Sequence, residues 1–243
     1  MLRRFLVLVL LSPLLALAQQ APQVVGRAWV LADVSSGQLL AAEKPDERFE
    51  PASLTKLMTA YLVFTALRER KITLEEQISV SEKAWRAPGS RMFIEPRKPV
   101  TVDELIRGMI VQSGNDACIA LAERVAGSEE AFAGLMNREA ERLGMKGSKF
   151  MNASGLPDPQ HYATARDLYL LAAALIRDFP ERYAAYYSLR EYRYNGITQV
   201  NRNRLLWLDA TVDGMKTGFT EAAGYCLVAS SKRGPRLEDA TRQ

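Results

Sequence analysis

A serine and a lysine three residues apart, Ser53 and Lys56, form a pair whose types and spacing could do chemistry. Residues at i and i+3 of a helix lie on one face, about 5 to 6 Å apart at Cβ, so the two side chains can touch. A serine hydroxyl becomes a nucleophile when a base takes its proton, and a lysine amine can be that base only in its neutral form. The pair predicts covalent catalysis, with Ser53 as nucleophile and Lys56 as general base.

Catalysis by Ser53 and Lys56 requires two properties of the surrounding residues. The charge of Lys56 must be disfavoured, which burial and a nearby second cation both achieve, so the hypothesis requires a cationic neighbour. A negative charge must also be stabilised as it develops on the substrate, and the backbone N–H groups at the start of a helix beside Ser53 can do this. A serine and lysine at this spacing are weak evidence alone, because such a pair occurs by chance about once in a chain of this length.

Two further motifs strengthen the interpretation. Ser113-Gly114-Asn115 lies in a break between two predicted helices, where a hydroxyl and an amide can point into a cleft. Lys216-Thr217-Gly218 lies on a predicted strand. There the glycine lets a ligand approach the backbone, and the lysine and threonine supply hydrogen-bond donors for a carboxylate.

Apolar residues at helical spacing predict the elements that position these motifs. The pattern that begins at Ser53 repeats every three or four residues and indicates a helix, and Thr164 with Asp167 marks another helix start. The predicted helices after the one at Ser53 cover residues 102–112, 116–125, 128–143 and 164–178.

Strands are predicted at both ends of the chain. The paired segments are 26–31 with 38–43, 191–194 with 197–200 across an Asn-Gly turn, and 212–219 with 225–231. Strands at both ends with helices between them predict an α+β domain, in which an antiparallel sheet joins N- and C-terminal segments.

The first 18 residues have the pattern of a cleaved signal peptide. Arg3 and Arg4 precede an apolar run, and Ala16-Leu17-Ala18 is a small-x-small cleavage site. The remaining residues, 19–243, are predicted to form one exported, periplasmic catalytic domain.

Composition limits the partners and cofactors. The chain is 48% hydrophobic and 25% charged, as in ordinary globular proteins. Its net charge of +4 falls to +2 without Arg3 and Arg4, since 30 cationic residues then face 28 anionic ones, and this argues against nucleic-acid binding. No histidine or cysteine cluster has metal-ligand spacing, so neither a metal nor another cofactor is predicted.

Other polar residues are given ordinary roles. His161, the single histidine, lies in a segment before a helix start and is predicted to have a surface or capping role. Glu129 and Glu130 are predicted to form a solvated helix face. Cys118 and Cys226 lie in apolar surroundings that favour buried thiols over a disulfide.

The order and spacing of the three motifs match the penicillin-recognising serine enzymes. From about residue 25 to 235 the chain resembles the D-alanyl-D-alanine carboxypeptidases, the low-molecular-mass penicillin-binding proteins. The strings that carry this resemblance are Pro51-Ala-Ser-Leu-Thr-Lys-Leu-Met-Thr59, Gln112-Ser-Gly-Asn-Asp-Ala-Cys118, Asn201-Arg-Asn203, Leu205-Leu-Trp207 and Val212-Asp-Gly-Met-Lys-Thr-Gly218.

The resemblance implies a β-lactamase/transpeptidase-like fold and a role for each catalytic motif. Ser53 would be the acylated nucleophile and Lys56 its base. Ser113 and Asn115 would relay protons and hold the substrate amide. Lys216 would orient Ser113 electrostatically and keep Lys56 neutral.

The resemblance also implies the substrate contacts and the reaction. Thr217 and Arg202 would bind the terminal carboxylate, with Gly218 on the strand beside the substrate, and the N–H groups of Ser53 and Phe219 would form the oxyanion hole. The reaction would release the last D-alanine of a peptidoglycan pentapeptide through an acyl-enzyme, which penicillins and other β-lactam antibiotics would also form. Peripheral membrane association would concern full-length relatives only.

One feature departs from the family pattern. In the family a central strand, a C-terminal helix and a second all-β domain follow the strand equivalent to 225–231, whereas Glu238 to Gln243 has no alternating apolar pattern. We therefore expect the last central strand and the terminal helix to be missing. The third motif would then depend on its own hairpin and on helix contacts, activity would be impaired, and Arg202 would lack a second arginine.

Two alternative functions remain open at this point. A β-lactamase shares the three motifs, but residues 150–166 offer no match to its deacylating glutamate. A non-catalytic binding module with the penicillin-recognising fold would take up no covalent penicillin at Ser53.

Overall fold

The central element of the fold is a buried helix, α1, which spans Lys56–Arg68 and follows directly on a 3-10 turn formed by Ala52–Thr55. Of the 13 residues of α1, 11 are buried, so helices pack around it on nearly all sides. The structure is a computed structural model that describes residues 24–233. The predicted signal peptide, residues 1–18, and the predicted absence of a strand in residues 238–243 lie outside the described residues.

Seven further helices accompany α1 in the described part of the chain. They are α2 (Glu82–Trp85), α3 (Val102–Val111), α4 (Asn115–Ala126), α5 (Glu129–Arg142), α6 (Ala165–Asp178), α7 (Pro180–Tyr187) and α8 (Leu205–Leu208). The predicted helix start at Thr164 is confirmed, because the Thr164 hydroxyl accepts the N–H of Asp167. Sequence patterns did not predict α2, α7 and α8, of which α2 and α8 are one turn long.

The strands form four two-stranded antiparallel sheets within residues 24–233. The pairs are β1 (Trp29–Asp33) with β2 (Gln38–Glu43), β3 (Gln77–Ile78) with β4 (Val100–Thr101), β5 (Glu191–Tyr194) with β6 (Ile197–Val200), and β7 (Val212–Thr220) with β8 (Gly224–Ser231). The three predicted hairpins are therefore confirmed, and so is the α+β class.

The N- and C-terminal hairpins lie near each other without sharing hydrogen bonds. A groove of about 1550 Å³ is lined by β1, by β8 and by residues of α6 such as Leu168 and Ala172. Leu31 and Leu227 remain about half exposed. The groove lies between the two hairpins, so the predicted sheet that joins N- and C-terminal segments is not formed within residues 24–233.

Strand β7 and its partner β8 are held by apolar contacts with α7 and with the 3-10 turn. Met215 is 1% exposed and belongs to the main hydrophobic core with Tyr183 and Tyr187 of α7. Val228 of β8 packs against a small cluster that contains Leu54 of the 3-10 turn, Ala163 and Leu168. The hairpin is thereby fixed against the turn that carries Ser53.

Candidate active site

Ser53 and Lys56 meet where the 3-10 turn becomes α1. Lys56 Nζ lies 3.0 Å from Ser53 Oγ, so the predicted contact is present. Ser53 is partly exposed, whereas Lys56 is 2% exposed. The nucleophile can therefore be reached from solvent while its partner amine cannot.

Three oxygen atoms surround the amine of Lys56. Besides the Ser53 hydroxyl, Nζ donates to Asn115 Oδ1 at 2.7 Å and to the Ser154 carbonyl at 2.6 Å. The amide and carbonyl oxygens can only accept, whereas a hydroxyl can donate or accept. Asn115 and Ser154 therefore accept two N–H groups of Nζ, and the Ser53 hydroxyl can either accept the third or give its proton to the lone pair of the neutral amine.

The second motif lies in the predicted break between α3 and α4. Ser113 has φ +66°, in the left-handed region, which turns the chain sharply before α4 begins at Asn115. The Ser113 Oγ is buried and has no hydrogen-bond partner among the described residues. Both polar atoms of the Asn115 side chain are hydrogen-bonded: Oδ1 accepts from Lys56 Nζ, and Nδ2 donates to the Pro88 carbonyl at 2.7 Å.

A buried carboxylate that sequence reasoning missed supports this motif. Asp116 is fully buried, and its oxygens accept backbone N–H groups of Met92 at 3.0 Å and Phe93 at 2.8 Å. These bonds connect the loop that contains Met92 and Phe93 to the start of α4, and so help to fix the position of Asn115. The motif spacing carried no signal for this role, because the partners are backbone groups more than 20 residues away.

The third motif lies close against the 3-10 turn. A Cβ added to Gly218 would lie 3.1 Å from the backbone nitrogen of Ser53, a tight contact, so the glycine lets β7 lie close against Ser53 without strain. Lys216 is 3% exposed, and its Nζ donates to the Thr217 carbonyl at 2.8 Å. The structure contains no hydrogen bond from Lys216 to Ser113, so their predicted relation is electrostatic only.

Burial and cationic neighbours disfavour charge on both lysines. Burial lowers the pKa of Lys56, and the Arg202 guanidinium lowers it further, against opposing effects of Cys118 and Asp116. Burial and then the Lys56 cation lower the pKa of Lys216 well below its usual value. Arg202 is therefore the cation that favours neutral Lys56, whereas the charge of Lys216 is itself disfavoured. The cationic neighbour that the chemistry required is present.

The predicted carboxylate-binding residues share one depression at the surface. Arg202, which is exposed, lines a pocket of about 280 Å³ together with Thr217 and Gly218. Phe219 is 56% exposed, and its ring contacts that of Tyr225 with centroids 4.6 Å apart. The nine predicted site residues thus lie on the 3-10 turn, α1, the α3–α4 junction, β7 and the segment before α8.

Two predictions about other residues are wrong. His161 is 3% exposed, because the segment before α6 folds under the 3-10 turn, so it is not a surface residue. Glu129 is 7% exposed: it accepts the N–H of Ala153 at 3.1 Å and pairs with Lys83 at 3.0 Å. Both residues make contacts at long sequence separation, which local patterns do not reveal.

Neither cysteine of the chain is in a disulfide: Cys118 is a buried thiol and Cys226 a partly buried one. Within residues 24–233, no group of three or more histidine, cysteine, aspartate or glutamate side chains could hold a metal ion. None of the helices found in that range is long and apolar enough to span a membrane.

Comparison with known proteins places this geometry in a family. The family described as D-alanyl-D-alanine carboxypeptidase matches residues 16–238. The chain belongs to this family. D-alanyl-D-alanine carboxypeptidase DacC of Escherichia coli K12 is 50% identical over 222 residues, which are 88% of this chain and 55% of the relative. DacA of Haemophilus influenzae is 46% identical over 215 residues, covering 86% of this chain and 54% of the relative.

Solved structures of penicillin-binding proteins have the same fold. Penicillin-binding protein 5 from H. influenzae superimposes with a TM-score of 0.86 at 44% identity, covering 88% of this chain and 63% of the other. Penicillin-binding protein D2 from Listeria monocytogenes, in its ampicillin-bound form, gives 0.80 at 31% identity, covering 89% and 88%. The transpeptidase-like fold expected from the family is confirmed. The chain spans about half the length of the curated relatives it matches.

Proposed function

We propose that the protein is a serine-type D-alanyl-D-alanine carboxypeptidase that removes the terminal D-alanine from peptidoglycan pentapeptides. The observation that carries this proposal is the environment of Lys56. Two obligate acceptors, Asn115 Oδ1 and the Ser154 carbonyl, bind its N–H groups and leave the remaining direction for the Ser53 hydroxyl. These contacts place Nζ against the Ser53 hydroxyl, and burial lowers the pKa of Lys56, so that its neutral form can act as the base for the nucleophile.

In the proposed acylation, neutral Lys56 takes the proton of Ser53 as Oγ attacks the carbonyl carbon of the D-Ala-D-Ala bond. The N–H groups of Ser53 and Phe219 stabilise the oxyanion, since Gly218 brings that strand against the 3-10 turn. The C–N bond then breaks, and the proton passes to the departing D-alanine amine by way of Lys56 or Ser113. A buried, otherwise unpartnered Ser113 hydroxyl is available for this transfer.

The free carboxylate of the substrate identifies it as a chain end. Arg202 and Thr217 line the same pocket and would bind that carboxylate, with charge-assisted hydrogen bonds from the guanidinium. Water then hydrolyses the acyl-enzyme with Lys56 again as base. A β-lactam forms the same ester with Ser53, but its ring-opened product stays attached. We place this activity in the periplasm, because residues 1–18 have the pattern of an export signal.

The experiment that tests the proposal measures free D-alanine released from a peptide ending in D-Ala-D-Ala. We expect release by the parent chain and none by Ser53→Ala, while Ser188→Ala, at the exposed serine that ends α7, retains activity. No release by a folded parent chain would contradict the proposal. Rapid turnover of the chromogenic cephalosporin nitrocefin in its place would favour a β-lactamase.

The pH dependence of acylation gives a second prediction. Acylation requires neutral Lys56, so its rate rises with pH through the pKa of that lysine. Replacing Arg202 with glutamine removes a cation that lowers the pKa of Lys56, so this pKa rises. The acidic limb of the rate profile should therefore move to higher pH, and it should not move in Lys146→Gln, at an exposed lysine. An unchanged limb in Arg202→Gln would mean that burial alone keeps Lys56 neutral.

A further inference from the structure

The catalytic turn rests on one segment, residues 149–164, which we call the buttress segment. Its Ser154 carbonyl accepts from Lys56 Nζ, and its Ala153 carbonyl accepts from the Thr59 hydroxyl, both at 2.6 Å. The first turn of α1 is thus fixed to the backbone of the buttress segment at two points. A third attachment involves side chains alone.

That attachment joins Thr55 to His161. Thr55, which lies between the nucleophile and the base, is fully buried, and its Oγ1 lies 2.9 Å from His161 Nε2. The other ring nitrogen, Nδ1, accepts the N–H of Met151 at 3.4 Å. A ring nitrogen that accepts carries no proton, so the neutral imidazole has its proton on Nε2 and donates it to Thr55.

The environment of His161 favours this neutral form. Burial lowers its pKa to about 4, and the one charge that opposes this shift is that of Asp158, on the same segment. From the other elements, the ring of His161 meets the uncharged Thr55 hydroxyl of the 3-10 turn. Within the segment its ring also packs edge-on against Phe150, with centroids 5.6 Å apart. The imidazole is therefore fixed in place as a permanent donor at neutral pH.

Thr55 continues the 3-10 turn into α1 with helical dihedrals, φ −47° and ψ −36°, so its side chain does not cap α1 and its hydroxyl is available to His161. In the same turn Ala52 has φ +46°, a left-handed conformation that is unfavourable for alanine. Such a conformation persists only where the surroundings enforce it. The bond between Thr55 and His161 lies in this same turn, three residues after Ala52.

We propose that His161 is a positioning residue: through Thr55, it holds the turn between nucleophile and base so that Ser53 Oγ stays within hydrogen-bond distance of Lys56 Nζ. This inference rests on the proposed function, because it assigns His161 a part in acylation. His161 touches neither substrate nor the reacting atoms. Its effect comes from geometry, since a displacement of about 1 Å at reacting groups can lower a rate by about 10²-fold.

The test compares acylation of the full chain by a penicillin in Thr55→Val and His161→Phe, which keep the shape of each side chain but remove the hydrogen bond. We expect the acylation rate constant to fall by about tenfold or more, with the noncovalent dissociation constant changed by less than about twofold. The double variant should be no slower than the slower single one, because the two residues act through one bond. Thr55→Ser should recover most of the lost rate, and Gln160→Ala, an exposed neighbour of His161, should not change it.

A spectroscopic measurement tests the same bond without activity. The chain contains one histidine, so isotope-labelled histidine gives one assigned pair of ring-nitrogen resonances. We expect a directly bonded proton on Nε2 and none on Nδ1 at neutral pH, and a shift of the Nε2 resonance in Thr55→Val. A proton on Nδ1, or additive rate losses in the double variant, would overturn the inference.

The two proposals fail in different ways. Variants acylated at the parent rate would overturn the role of His161 and leave the proposed function intact. A folded parent chain that no penicillin acylates would overturn the proposed function, and the inference with it.

Discussion

Replacing Lys56 with methionine is expected to slow acylation of Ser53 by about 10⁴-fold, the loss typical of removing the base that activates a serine. Methionine fills a similar volume but cannot take the Ser53 proton. It also leaves Asn115 Oδ1 and the Ser154 carbonyl without the donor that they share in the native site. The measurement is the second-order rate constant for labelling by a fluorescent penicillin, determined on variants with native-like circular dichroism.

Lys146→Met is the matched control, because Lys146 is an exposed lysine on the loop after α5. It should label at the parent rate. If Lys56→Met labelled within about tenfold of the parent, another group would have to act as base, and the assignment of Lys56 would be wrong.

Gly155→Ala is expected to prevent the buttress segment from packing under the catalytic turn. Gly155 has φ +82°, and an added Cβ would lie 1.8 Å from the Ala52 carbonyl oxygen and 2.8 Å from Thr55 Oγ1. The nearer atom is backbone, so the turn or the segment must move. We expect the free energy of unfolding to fall by at least about 3 kcal/mol, from the left-handed conformation together with the collision, and acylation to fall with it.

Gly127→Ala separates these two causes. Gly127 ends α4 at φ +83°, and an added Cβ would meet nothing within 4 Å. The free energy of unfolding of Gly127→Ala should therefore fall by about 1 kcal/mol, from the left-handed conformation alone, and its acylation rate should not change. Chemical denaturation of both variants checks the prediction, and equal losses would mean that the contact between Gly155 and Ala52 does not constrain the turn.

Much of the fold could be predicted because local patterns determine it. The helices α3, α5 and α6 have apolar residues at helical spacing and begin with threonine or serine caps, and these starts lie within one residue of the predicted ones. The Asn195-Gly196 turn predicted the β5–β6 register, in which Tyr194 pairs with Ile197. The motif residues were recognisable because their types and order limit the chemistry that they can perform.

The supporting residues could not be predicted, because their roles depend on contacts between distant segments. Ser154 gives Lys56 a backbone carbonyl, a group present in every residue, so no side-chain pattern marks it. His161 stands 106 residues from Thr55, and its loop-like sequence favoured the surface position that proved wrong. The same limit applies to Asp116, whose partners are backbone N–H groups.

The most direct test of the central claim, that Ser53 is the nucleophile of a penicillin-recognising acyl transferase, is the mass of the chain after incubation with a penicillin. The account predicts an increase equal to one penicillin molecule, located on Ser53 by peptide mapping, and no increase in Ser53→Ala. An adduct on another residue, or an equal increase in Ser53→Ala, would contradict it.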